Sequence, residues 1–240
     1  MEYALITAST SGIGYAIAKK LLTEGCFCYI NYAHNEARTF SAAKELSTIS
    51  DKFKVIRADL SNIDGVNSLV KAIQFESIEL DHLVLNCGIT DRTPFGEIAQ
   101  ENWNNIINTN LSMPFFVLQG LFDTIAENGS IVMIGSILGS RPHAMSISYG
   151  VSKAALSALC QNLVKVMATK KIRINTLEPG FVDTTWQKDK PIEQRLRIEN
   201  KIALKRFAEP DEIADMCYGI LQNSYVNGAV IPMCGGYDMT

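Results

Sequence analysis

The sequence predicts a doubly wound α/β fold: a seven-stranded, mostly parallel sheet with helices on both faces. Short apolar runs rich in Val and Ile alternate with longer segments of helical period. The runs are nearly continuous in apolar residues, as strands buried on both faces must be. At 240 residues and 47% hydrophobic, the chain can fill one such domain over 1–240.

The elements follow in order. A strand is predicted over 3–7, then a turn of small residues, then a helix over 14–24. That helix sets Ile17, Ala18, Leu21 and Leu22 on one face and stops at Gly25. Further strands are predicted over 27–32, 53–57, 82–85, 130–134, 172–177 and 229–232. The crossover helices are expected over 36–48, 63–76, 100–123, 148–167 and, after Pro210, 211–221. Residues 183–209 are charged and read as a helical excursion on the substrate side.

Several function classes are excluded at this level. A net charge of -3 gives no electrostatic footprint for nucleic acid or an anionic membrane. The longest apolar stretch, 131–138, is too short to span a bilayer. No basic segment followed by an apolar one opens the chain, so no secretory signal is expected and the cytoplasm is the expected location. The six cysteines form no CxxC pair and His34, His82 and His143 lack metal-ligand spacing, so no metal is expected. Cys26 and Cys28 alternate on a strand and read as buried small hydrophobes on one side.

The chemistry sits in two places. Thr7-Ala8-Ser9-Thr10-Ser11-Gly12-Ile13-Gly14 joins the first strand to a helix. Small residues there let backbone N–H groups approach a pyrophosphate, and the helix N-terminus favours the anion. An Ala at position 8 requires a negative φ. Downstream, Tyr149 and Lys153 are four apart on a helix, hence on one face. A nearby ammonium favours the phenolate and would lower the phenol's pKa. Ser136 follows a strand and could donate to a developing oxyanion.

This set resembles the short-chain dehydrogenases/reductases, from Ala4 to about Gly236. Asn110, Ser136, Tyr149 and Lys153 match that family's catalytic residues. Thr7, Ser9, Ser11, Gly12, Ile13 and Gly14 match its glycine turn, and Asp59-Leu60 the acid near the adenine. Asn86-Cys87-Gly88 resembles the segment after the fourth strand. Asn175 and Glu178-Pro179-Gly180 resemble the turn after the sixth, with Val182 nearby and Thr184 where a threonine meets the nicotinamide carboxamide. Ala8, Leu85 and Cys87 depart from the pattern. The resemblance implies a Rossmann-like fold and an NAD(P)-dependent oxidoreductase interconverting a carbonyl and an alcohol. It implies Tyr149 as proton donor and acceptor, Lys153 on the nicotinamide ribose, and Asn110 holding a water that leads to solvent.

Within the family the pattern is nearest to 3-oxoacyl-acyl-carrier-protein reductases, with an acyl thioester substrate and acyl carrier protein as a partner. The alternatives are a reductase of another ketone, sugar or steroid, and an idle nucleotide-binding regulator. The position that selects the cofactor falls on Tyr32, with no acid before Glu36. Nothing there repels a 2′-phosphate, and Asn31, His34 and Arg38 could donate to it, so NADP is expected over NAD. His143, in the loop between Ser136 and Tyr149, is a candidate substrate contact. Val151, Ala155, Leu159 and Leu163 offer a second apolar helix face, and the resemblance implies a homo-oligomer, a tetramer over a dimer.

Overall fold

The computed structural model describes residues 1–141, 146–188, 190–237 and Met239. The strands are β1 (Tyr3–Ile6), β2 (Phe27–Tyr32), β3 (Phe53–Arg57), β4 (Leu80–Leu85), β5 (Ile125–Ile134), β6 (Arg173–Pro179) and β7 (Val230–Met233). They form one sheet in the order β3-β2-β1-β4-β5-β6-β7, and every pairing is parallel. The order reverses between β1 and β4, which opens a crevice at their C-terminal ends.

The helices are α1 (Gly12–Thr23), α2 (Glu36–Leu46), α3 (Ile63–Phe75), α4 (Gln100–Ile107), α5 (Met113–Leu121), α6 (Ile137–Ser140), α7 (Ile147–Met167), α8 (Thr185–Lys188), α9 (Ile192–Lys201) and α10 (Pro210–Gln222). Alternate strand residues feed two cores. Ala4, Ile6, Val84 and Val132 pack with Ile17 and Leu21 of α1 and Ile213 of α10. Leu5, Leu83, Ile131 and Met133 pack with Leu69 of α3, Val117 of α5 and Leu156 of α7. Cys26 and Cys28 share the first of these layers, as their alternation predicts.

The helix expected over 100–123 is not continuous. A π turn, Asn108–Ser112, separates α4 from α5, and a 3-10 turn, Phe122–Thr124, ends the segment. Pro114 explains the break: it has no N–H for the Asn110 carbonyl four residues back. The ladder slips by one, and Met113 N–H reaches the Asn108 carbonyl. The excursion after residue 183 is helical, as expected, and is built from α8 and α9. α3 is capped by Asn62, whose Oδ1 accepts from Gly65 N–H at 2.9 Å. α10 begins at Pro210, with the Glu212 carboxylate accepting from Glu209 N–H at 2.8 Å.

Candidate active site

The turn after β1 is held from below by buried polar groups. The Thr7 hydroxyl, 1% exposed, accepts from Asn86 N–H (2.8 Å) and Cys87 N–H (3.0 Å). The Asn86 amide donates to the carbonyls of Thr7 and Ala8, both at 3.1 Å. Ser9, fully buried, donates to the Ile6 carbonyl at 2.7 Å and accepts from Asn31 N–H. Thr7 and Ser9 are thus supports whose hydroxyls are engaged within the protein, as is the Asn86 side-chain nitrogen.

The expectation of a negative φ at Ala8 is overturned: φ is +50°. Asn31 Oδ1 accepts from Ala8 N–H, and Asn86 holds its carbonyl, so the left-handed geometry is clamped at both ends. An L-residue there carries roughly 1–2 kcal/mol of strain. Ala8→Gly removes that strain and adds unfolded-state entropy of about 0.5–1 kcal/mol. The net expectation is a variant about 0.5–1 kcal/mol more stable in urea unfolding, with cofactor affinity unchanged. A destabilised Gly variant would contradict this.

Above the clamp, α1 starts open. Ser11 makes no side-chain capping bond and the first turn carries no acid. By contrast, α2 and α3 are capped by Asn35 and Asn62. The first N–H groups of α1, from Gly12 to Gly14, are therefore available to an anion. Gly14 has no alternative, because a Cβ there would lie 2.5 Å from Asn86 Nδ2 and 2.6 Å from the Ala8 carbonyl. A Cβ on Gly12 would lie 3.4 Å from Thr184 Cγ2, so the loop after β6 reaches the glycine turn.

The same loop is braced. Gly180 fits only without a side chain, since its Cβ would lie 2.8 Å from Cys234 Cα. Pro179 and Val182 are buried, and Asp183 pairs with Arg195 of α9 at 3.1 Å. Glu178, 2% exposed, accepts from Ser157 of α7 (2.8 Å) and Ser140 of α6 (3.0 Å). This carboxylate ties β6 to both elements that carry the catalytic candidates. Its only sequence signal was an acid at the end of an apolar strand.

Those candidates converge. A Cβ on Gly139 would lie 2.7 Å from Ala154 N, so α6 rests directly on α7. This sets Ser136 beside Tyr149, close enough to act on its phenol. Ser136 Oγ also accepts from Leu138 N–H at 3.2 Å, leaving its own proton to donate outward. Lys153, 3% exposed, donates to the Ile134 carbonyl at 2.8 Å, and its Nζ lies 5.8 Å from the Tyr149 ring centroid. Burial brings the Lys153 ammonium down to about 8.

One expectation changes here. Burial pushes the Tyr149 phenol up, against the smaller opposing effect of Ser136, so it holds its proton. Desolvation of the phenolate sets the direction. The Asn110 side chain is consumed: Oδ1 accepts from Ile89 N–H (2.8 Å), and Nδ2 donates to the Ile89 carbonyl (2.9 Å) and Ser152 Oγ (3.0 Å). Any water would have to meet its main chain instead. A Cβ on Gly88 would lie 3.2 Å from Asn110 Oδ1 and 3.3 Å from Lys153 Nζ, so Gly88 leaves room between them.

At the end of β2 the picture is mixed. Tyr32 is half-buried and His34 exposed. Asn31 is no donor for a phosphate: it is 2% exposed, and its amide goes to the Tyr32, Ile56 and Ala58 carbonyls. His34 Nε2 lies 3.1 Å from Asp59 Oδ2. Burial raises the Asp59 carboxyl, but bonds from Ser61 and His34 outweigh it and hold it below the usual carboxylate range. The exposed Arg38 has no side-chain partner among the described residues. Leu60 is buried in the core. His143 lies outside the described residues.

The open helix start, the Gly12–Thr184 cradle and a buried lysine with spare donors fit a dinucleotide. The short chain dehydrogenase family model matches residues 2–195. The chain belongs to the short-chain dehydrogenases. It is an NAD(P)-dependent oxidoreductase of that family. The 3-oxoacyl-acyl-carrier-protein reductase FabG of Chlamydia muridarum is 32% identical over 240 residues, covering 97% of this chain and 96% of its own. The acetoacetyl-CoA reductase of Allochromatium vinosum is 30% identical, with 98% of each chain covered. RhlG of Pseudomonas aeruginosa, solved as an NADP active-site complex, superposes with a TM-score of 0.91 at 26% identity, over 99% of this chain and 96% of its own. Among the described residues of this dehydrogenase, no helix is long and apolar enough to cross a membrane.

Proposed function

We propose that residues 1–240 form one dinucleotide-binding domain that reduces a 3-oxoacyl thioester to its 3-hydroxy product, using NADPH. The observation that carries the reaction class is the meeting of Ser136, Tyr149 and the buried Lys153 beside Gly88. The thioester is supported by the two reductases that share the chain's whole length. Exposed Trp186, Ile192 and Leu196 on the excursion suit an apolar acyl substrate.

The α1 N-terminus would hold the pyrophosphate, and Gly12, Ile13 and Gly14 would give it room. Thr184 would meet the carboxamide, and Lys153, with N–H groups to spare, would hold the ribose. When bound, the nicotinamide supplies the hydride that reduces the carbonyl carbon. Ser136 donates to the carbonyl oxygen as charge develops there. Tyr149 gives that oxygen its proton, and its raised phenol is in the required state. The Lys153 charge eases formation of the phenolate. The Asn110 main-chain carbonyl, which Pro114 cannot bond, is the place for the water that returns a proton. A panel of ketones and acyl thioesters, scored by NADPH oxidation, tests the substrate class; activity confined to sugars or steroids would overturn it.

For the cofactor, Arg38 is the donor best placed to meet a 2′-phosphate, with His34 beside it. One charge-assisted contact corresponds to roughly tenfold in efficiency. NADPH is thus expected to exceed NADH in kcat/KM by about tenfold, falling toward parity in Arg38→Ala. A clear NADH preference would contradict this reading of the strand end.

Leu111, Phe115, Phe116, Ala155, Ala158 and Leu159 line an apolar hollow on α5 and α7. Val151 is exposed on the same helix. This face supports a homotetramer built on paired helices, with acyl carrier protein as a further partner. Light scattering should show a tetramer that Ala158→Arg dissociates, and a wild-type monomer at micromolar concentration would contradict it. The six free thiols suit a reducing, cytoplasmic location.

A further inference from the structure

The end of the sheet opposite the active site carries a second cluster. Glu2 precedes β1, Cys26 precedes β2, and His82 lies near the start of β4, three neighbouring strands. Cys26 is 2% exposed and His82 6%. Both engage a single atom, Glu2 Oε2: His82 Nε2 at 3.2 Å and Cys26 Sγ at 3.7 Å. The three ligand atoms all lie within 4.8 Å of one another.

From this geometry we propose that Glu2, Cys26 and His82 bind a divalent zinc-type cation. Zinc takes nitrogen and oxygen at about 2.0–2.1 Å and thiolate sulfur at about 2.3 Å. For a tetrahedron those lengths set the N–O edge near ~3.3 Å and the S–O edge near ~3.6 Å. The observed 3.2 and 3.7 Å already match both edges. A fourth ligand is at hand in Gln222, whose amide lies 3.4 Å from His82 Nε2 and presents its oxygen if turned over. The mixture of one sulfur, one nitrogen and hard oxygens is a zinc donor set.

The proton balance is straightforward. Cys26 releases its proton to solvent and binds as thiolate. His82 binds through Nε2 with its ring proton on Nδ1, an atom that makes no hydrogen bond in the structure, so the tautomer change gives up only the Nε2–Glu2 bond that the cation replaces. The two ligand charges neutralise the cation. Glu24 and Asp81 act electrostatically on Cys26 as well, with Glu24 shared by Lys20 at 3.0 Å. The site stands at the N-terminal ends of the strands, away from Tyr149, so its consequence is to clasp β1, β2 and β4. Activity of the stripped protein is expected to survive.

The test uses the full chain with no N-terminal tag, stripped by chelator and titrated with Co²⁺. One equivalent should bind, with a thiolate-to-cobalt band in the near ultraviolet. Cys26→Ser should lose that band. Glu2→Gln, at a half-exposed position that should not perturb folding, should weaken binding at least tenfold. Zinc at a hundredfold excess over its Kd should raise Tm by about 5–10 °C. Absence of the band, its persistence in Cys26→Ser, or a Tm unmoved by zinc would each overturn the site and leave Glu2–His82 as an ordinary ion pair.

Discussion

Tyr149→Phe is expected to lower turnover by about a thousandfold while leaving cofactor binding unchanged. The change removes one hydroxyl and nothing else of the ring that packs beside Lys153. No other described acid is placed to hand a proton to an oxygen held by Ser136. Ser136 keeps its bond from Leu138 N–H, so its hydroxyl stays in place. Burial holds the Tyr149 phenol protonated, which favours the reductive direction at neutral pH. The checks are steady-state kinetics and cofactor titration by fluorescence. Retained turnover in the variant would sink Tyr149 as the proton donor, whatever the substrate.

Lys153→Met is expected to abolish activity and stabilise the fold together. The ammonium is 3% exposed with one carbonyl partner, and burial lowers it from 10.5 to about 8. A shift of that size corresponds to about 3 kcal/mol, reduced to a gain of about 1–3 kcal/mol once the Ile134 bond is lost. The sign follows from proton linkage. Below pH 8 both states are charged and the folded state bears the full burden. Between about 8 and 10.5 the folded state sheds its proton while the unfolded chain keeps it, so wild-type stability rises with pH. The variant's advantage should therefore be largest below pH 8 and fade toward 10.5 in denaturant titrations. A destabilised Met variant at pH 7 would show that the buried charge is held by partners that outweigh its desolvation.

Much of this was legible in the sequence because it rests on local patterns. Apolar runs such as 131–134 mark strands buried on both faces, and the i, i+4 spacing of Tyr149 and Lys153 survives intact on α7. What spacing misses is what distant strands share. Glu178 reads as part of a turn, yet its carboxylate works inward on Ser140 and Ser157. Asn31 reads as a phosphate donor because it sits at a strand end, but alternation turns it into the protein to clamp Ala8. The left-handed Ala8 is affordable only with Asn31 and Asn86 bonded to it, and neither is near it in sequence. The helix break at Asn110 was readable in principle from Pro114. Glu2, Cys26 and His82 escape any spacing rule, because Glu2 is 24 residues from one and 80 from the other.

The most direct measurement follows NADPH oxidation by the wild-type chain with acetoacetyl-CoA, together with the yield of 3-hydroxybutyryl-CoA. One mole of alcohol per mole of NADPH consumed is predicted, at a rate that Tyr149→Phe and Lys153→Met both abolish. No oxidation with this thioester, nor with any ketone of the panel, while the chain still binds NADPH, would contradict carbonyl reduction at the Ser136–Tyr149–Lys153 site.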